Sequence, residues 1–153
     1  MSLRKAEFGP RFLAAFVDGA VCAVLSLLPF IGFLIGAAYL LVKDGIMYEL
    51  TKKEEWRNRS VGKKLLSLEV VALDGNRVDL VTSAKRNLPL SVGSIIAVVP
   101  AIGLIIGPFA GLVLGIVEIY LVLTDPEGRR LGDRWAGTQV VATEAASVGR
   151  TLQ

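Results

Sequence analysis

The chain has no histidine and only one cysteine, Cys22, among its 153 residues. One thiol cannot close an intrachain disulfide, and without a Cys/His cluster there is no case for a zinc site. No metal or cofactor is expected. Any proton relay has to be built from carboxylates, with Tyr39, Tyr48 or Tyr120 as possible partners. Charge is also missing over two long runs, 19–42 and 87–117, of 24 and 31 residues. A membrane-spanning helix needs about 20 mostly apolar residues. The second run is too long for one span, and each run is interrupted by a Pro-Gly pair.

The interruptions are copies of one another. Pro29-Phe30-Ile31-Gly32-Phe33-Leu34-Ile35-Gly36 returns as Pro100-Ala101-Ile102-Gly103-Leu104-Ile105-Ile106-Gly107, 71 residues later. Further on, Arg59-Ser60-Val61-Gly62-Lys63-Lys64 with Val70-Val71-Ala72 returns as Arg130-Leu131-Gly132-Asp133-Arg134 with Val140-Val141-Ala142. The glycines and valines there repeat at an offset of 70. Internal self-similarity constrains the whole fold and is read before local structure. Two single spans, at 19–42 and within 88–124, would be the simplest alternative. The repeated Pro-Gly breaks favour two hairpins instead, because proline ends a helix by removing a donor and restricting its predecessor.

The expected fold class is therefore an all-α membrane protein, with four transmembrane helices arranged as two parallel-repeat hairpins. The helices are placed at about 10–28, 31–50, 83–99 and 103–124, with the whole chain, 1–153, one domain. All 17 Lys and Arg lie in the N-terminal segment, in 43–86 or after 128. Basic loops stay cytoplasmic, so the N-terminus, the loop 51–82 and the tail 125–153 are expected inside. Only an even number of spans per copy allows this, which makes the repeat parallel rather than inverted. The formal net charge of +3 comes from segments where bases alternate with acids and flank spans. Lipid headgroups explain it better than nucleic acid, and no nucleic-acid partner is expected. No secretory cleavage signal is convincing.

Within the loop, Leu68, Val70 and Ala72 alternate with their neighbours. Asp74-Gly75 then signals a turn before Arg77-Val78-Asp79-Leu80. This pattern predicts a small cytoplasmic β-hairpin between the second and third helices, with 139–142 as a possible third strand. Trp56 and Trp135 are candidate interface anchors. The tail after Glu144 reads as unstructured.

Acids inside the spans carry the chemical interest. Arg11 and Asp18 are seven residues apart, on one helix face and about 10 Å apart along the axis. Glu118 reaches a similar depth from the inner end of the fourth helix, and Lys43 and Asp44 lie near the inner end of the second. An acid within a span costs at least about 2.5 kcal/mol, so it faces a partner or a cavity. Asp18, Glu118 and Asp44 form the candidate ion or proton site. The competing reading makes Arg11 with Asp18 a helix-locking ion pair and lets Glu118 snorkel. Lys63, Asp133 and Arg134 are expected to form a network at the inner surface, with Asp133 paired to Arg11 or Lys63. Gly103, Gly107, Gly111 and Gly115 line one groove of the fourth helix, a small-residue face for close packing within the chain or between copies. Two tempting motifs fail. Ser60-Val61-Gly62-Lys63 spells S-x-x-K without companion motifs, and Arg57 and Lys64 break any phosphate loop.

Three segments in order resemble the RDD family of small bacterial membrane proteins. Arg11-Phe12-Leu13-Ala14-Ala15-Phe16-Val17-Asp18 is similar to its first-helix motif. Ser60-Val61-Gly62-Lys63-Lys64-Leu65-Leu66, running on to Val70-Val71 and Asp74-Gly75, is similar to its loop. Leu131-Gly132-Asp133-Arg134-Trp135-Ala136-Gly137-Thr138-Gln139-Val140-Val141 is similar to its closing segment. The resemblance spans about residues 8 to 142 and implies that Arg11, Asp18 and Asp133 are the characteristic residues. One departure is Gly132, where many members carry histidine. It further implies a bacterial cytoplasmic-membrane location and transport of ions or small solutes, with cation/proton antiport as the candidate mode. A homo-oligomer or a partner membrane protein is expected alongside the lipid bilayer, with a monovalent cation or proton as the candidate ligand. The alternative is a non-transporting scaffold or accessory subunit. No enzymatic role is expected.

Overall fold

A computed structural model describes residues 5–29, 31–97, 99 and 101–143. Pro100, expected to end the third long helix, and the tail after Glu144 lie outside these residues. The described chain is mostly helical. Its elements run α1 (Phe8–Ser26), α2 (Gly32–Thr51), a 3-10 turn (Glu54–Trp56), α3 (Val61–Leu65), β1 (Leu68–Ala72), α4 (Leu80–Ala97), α5 (Ile102–Thr124), α6 (Leu131–Trp135) and β2 (Thr138–Ala142). The order helix, helix, short helix, strand thus occurs twice. The four long helices fall within a few residues of the expected ranges. α4 starts earlier than expected because Asp79 caps it, accepting from the Thr82 amide at 2.7 Å. An Asx residue at that position satisfies a donor the helix cannot.

Burial is inverted relative to a water-soluble protein. Asp18, Asp44, Arg86, Asn87 and Asp133 are sealed inside, while Phe16, Leu27, Ile105 and Phe109 lie on the outside. Large apolar side chains on an outer surface are stable only against another apolar phase. Two helices, Phe8–Ser26 and Ile105–Thr124, are long and apolar enough to cross a membrane. In hydrocarbon each backbone polar group must find its partner inside the chain, which helices provide.

The strands correct the expected hairpin. β1 pairs antiparallel with β2, not with 77–80, in the register Leu68 to Ala142 and Ala72 to Thr138. Val70 sits opposite Val140 at the centre. The Asp74-Gly75 turn does form, with Asp74 accepting from the Asn76 amide at 3.0 Å. The segment after it cannot return as a strand, however, because Asp79 already starts α4. The far edge of β2 meets the N-terminal segment, where Lys5 bridges Val141 and the Ala6 amide donates to Val140 O at 3.1 Å.

Packing within the bundle relies on backbone contact. α1 packs on α2 and α3, α2 on α4, and α4 on α5 and α6. Gly103 lies against the Ile96 carbonyl, Gly107 against Gly93 and Ala97, and Gly111 against Gly93, so three of the four α5 glycines seat α5 on α4. The fourth, Gly115, faces open space. The short helices are pressed in the same way. A Cβ at Gly62 would overlap the Ala14 carbonyl of α1, and a Cβ at Gly132 would overlap the Arg86 carbonyl of α4. Gly132, the departure from the family pattern, is therefore a contact that excludes a side chain. Gly132→Ala should cost about 1–3 kcal/mol through overpacking, read as a melting temperature lowered by several degrees in detergent. Gly115→Ala should leave that temperature unchanged or slightly raised.

Candidate functional site

The buried charges form one connected network where the short helices meet the bundle. Asp18 of α1 accepts from the Ser60 hydroxyl at 2.7 Å, the Gly62 amide at 2.8 Å and the Tyr39 hydroxyl at 3.3 Å. It also pairs with Lys43 at 3.1 Å. One carboxylate thus anchors the start of α3 to α1 and takes a cation from α2. Asp44, the next residue along α2, pairs with Lys63 at 2.6 Å and with Arg86 of α4. The Asn87 amide adds a third bond to it at 3.0 Å.

Arg86 connects the two halves. Its guanidinium donates to Asp44 on one side and to Asp133 on the other, through Nε at 3.0 Å and Nη2 at 2.5 Å. Asp133 also pairs with Arg130 at 3.3 Å and with Arg11 at 3.4 Å, and it closes the first turn of α6 by accepting from the Arg130 amide at 3.2 Å. Arg11 donates to the Gly128 carbonyl as well, at 2.5 Å. Glu118 lies at the end of this chain of charges. It is buried, its nearest cation is Arg130 at 4.0 Å, no side chain among the described residues donates a hydrogen bond to it, and its polar neighbours are the backbone amides of Leu131 and Gly132 at the start of α6.

Several expectations shift accordingly. Arg11 and Asp18 do not pair with each other; they belong to separate ends of the network. Asp133 meets Arg11 as expected but reaches Lys63 only through Arg86 and Asp44. Arg134 lies outside the network and pairs with Asp125 at 2.7 Å. Trp135 is exposed, and Trp56 packs under the Lys64 ammonium at 3.8 Å from the ring centroid.

Sequence reading missed Arg86, although the polar stripe Ser83, Asn87 and Ser91, spaced by four on α4, marks the inward face beside it. That stripe is buried. Arg130 enters the sequence reading only as part of an echo, Ser60 as part of an echo, of the S-x-x-K spelling and of the family-like loop, and Lys43 only by its position.

The electrostatics outside the long helices follow from burial and neighbours. Burial raises the Asp133 pKa, but Arg86, Arg130 and Arg11 together outweigh it and hold the carboxyl below the usual carboxylate range. Burial pushes the Lys63 ammonium down to about 8 against the opposing pull of Asp44.

Beside the network lies a cavity of about 190 Å³. Arg11, Lys43, Lys63, Arg130 and Glu118 form its polar lining. Phe8, Phe12 and Ala15 of α1, Leu90 of α4, and Gly115, Ile119 and Val122 of α5 form much of the apolar lining. α1 has no substantial packing contact with α5, so the cavity lies at a gap in the bundle. Among the described residues no cluster of metal-ligating side chains occurs.

An apolar exterior around an ionic interior defines a helical membrane protein. The chain belongs to the RDD family, whose model matches residues 5–137. No curated protein and no solved structure matches it significantly. Arg11 and Asp133, two of the three residues that the resemblance singles out, meet in this network, while Asp18 serves its other end.

Removing Asp133 would leave Arg86 buried beside a single carboxylate. Breaking a buried pair from one side costs about 3–5 kcal/mol, so Asp133→Ala should assemble poorly and melt early in detergent. An unchanged melting temperature would refute the network's role as a tether. Asp133 also predicts a pH dependence. Its folded pKa is depressed from 3.8, so its stabilisation is complete above that value and is lost as pH falls through the folded pKa. Melting temperatures measured below pH 4 should fall more steeply in the wild type than in Asp133→Asn.

Proposed function

We propose that the chain is a four-span protein of the bacterial cytoplasmic membrane with both termini inside, and that it is transport-related. It moves an ion or small solute through the cavity while Glu118 takes up and releases a proton. The observation that carries this reading is the state of the carboxylates. Asp18 and Asp44 each hold a lysine, whereas Glu118 lines the cavity with no cation nearer than Arg130 at 4.0 Å. Monovalent cation/proton antiport at Asp18 or Asp44 would have to strip a lysine from the site in every cycle. Exchange at Glu118 needs no such step.

The architecture is read as two hairpins related by an axis along the membrane normal. Three features support it. Apart from the 3-10 turn after α2, the element order is the same in both halves. The glycines Gly62 and Gly132, 70 residues apart, are both pressed on the first long helix of their own half. The antiparallel register is centred on Val70 and Val140, also 70 apart, as a two-fold axis through the sheet requires. Four helices enclose little of a pathway, so the working unit is a homo-oligomer or includes a partner membrane protein.

A second reading, a non-transporting scaffold or accessory subunit, draws support from the number of elements the charge network ties together. Vesicles carrying the full chain and a trapped pH dye, challenged with Na⁺, K⁺ or Li⁺ salts, separate the two. Transport at Glu118 predicts a proton flux that Glu118→Gln abolishes. No flux from well-folded protein would leave the scaffold reading standing. A flux lost in Asp18→Asn but kept in Glu118→Gln would move the site to Asp18.

A further inference from the structure

The charge network is layered, and the layering sets the sign that the cavity presents. The side chains of Arg11, Lys43, Lys63 and Arg130 keep between 6 and 13% of their surface accessible. Asp133, Asp18 and Asp44 keep 0 to 1%, and Glu118 keeps 4%. All four cations line the cavity, and none of the three aspartates does. The three aspartates thus sit behind the bases, and a molecule entering meets four cations and one carboxylate, Glu118. Coulomb attraction at short range grows as the surrounding dielectric falls, so a partly enclosed cationic lining selects anions. A zwitterionic headgroup would bring an ammonium group that meets repulsion there.

The rest of the lining is apolar. Phe12 and Ala15 on α1 face Leu90 on α4 and Ile119 on α5 across the cavity. Gly115 adds none of the bulk a side chain would, since a Cβ there meets nothing within 4 Å. The cavity opens where α1 and α5 do not pack, between two helices whose outer faces are apolar. A soluble anion would gain nothing from such walls, whereas an amphiphile would gain from both halves of the lining.

We propose that this cavity binds one anionic phospholipid. Its phosphate lies against Arg11, Lys43, Lys63 and Arg130, and its acyl chains leave through the gap between α1 and α5 into the bilayer. The inference names a ligand class for the cavity in the transport reading and rests on that reading only for the cavity's role, not for binding.

The test is native mass spectrometry and thermal unfolding of the full chain in detergent, with phosphatidylglycerol, phosphatidylcholine or inorganic phosphate added. Phosphatidylglycerol should be retained one per chain and should raise the melting temperature. Phosphatidylcholine and phosphate should do neither. Arg130→Gln should weaken phosphatidylglycerol binding about fivefold, the worth of one basic group near an anionic headgroup. Gly115→Leu leaves every charged group in place and fills the apolar part of the cavity. It should melt like the wild type without lipid and lose the retained lipid. Equal retention of both lipids, the same stabilisation by phosphate alone, or wild-type retention in Gly115→Leu would overturn the proposal. The two readings fail separately. Lipid retention without a proton flux dependent on Glu118 rejects transport and keeps the lipid site, and the converse rejects the lipid site and keeps transport.

Discussion

A single guanidinium holds the molecule together. Arg86 is fully buried, and a buried charge is tolerated only when paired and hydrogen-bonded. Its two carboxylate partners come from opposite directions, Asp44 from α2 and Asp133 from α6. Each brings further cations: Lys63 on Asp44, and Arg11 and Arg130 on Asp133. Satisfying one arginine therefore fixes the relative positions of α1, α2, α3, α4 and α6. In an apolar surround there is little hydrophobic force between helices, so polar contacts and close backbone packing decide how they assemble.

The glycines make that assembly geometrically possible. Gly62 and Gly132 bring the short helices within backbone contact of α1 and α4. At that distance the Gly62 amide reaches Asp18, and Asp133 reaches Arg86. Any side chain at either position would hold the donor and acceptor apart. Along α5 the glycines have a graded role. The three nearer its start close α5 onto α4, and Gly115 leaves a space instead. Beside that space sits Glu118, whose nearest cation is Arg130 at 4.0 Å.

The two halves of the chain carry the same succession of long helices, short helix and strand with different charges. In the first half a carboxylate on the long helix, Asp18, secures the short helix that follows. In the second the carboxylate lies on the short helix, Asp133, and the long helix supplies the base, Arg86. Lys63 and Asp133, at corresponding positions, consequently bind opposite partners. The halves interlock through two crossed pairs, Arg86 with Asp44 and Arg11 with Asp133, each setting a base of one half on an acid of the other.

The long helices could be read from sequence because their signals are local. Uncharged runs, Pro-Gly breaks and basic flanks depend on neighbouring residues alone, and those helices lie where the breaks put them. The turn at Asp74-Gly75 was legible for the same reason. The partner of β1 was not, because strand pairing is a long-range choice, and an Asp79 cap one turn later redirected the chain into α4. Arg11, Asp18 and Asp133 could be singled out by their places in the segments that resemble the family's motifs. Their partners could not, since seven residues on one helix face suggested Arg11 with Asp18 while the packed bundle sends them to Asp133 and Lys43. Sequence by itself determined which segments are apolar, where they break and which acids lie within them. Only the tertiary structure decided which base meets which acid and which charges face the cavity, because ion pairing depends on distances of a few ångströms set by helices far apart in the chain.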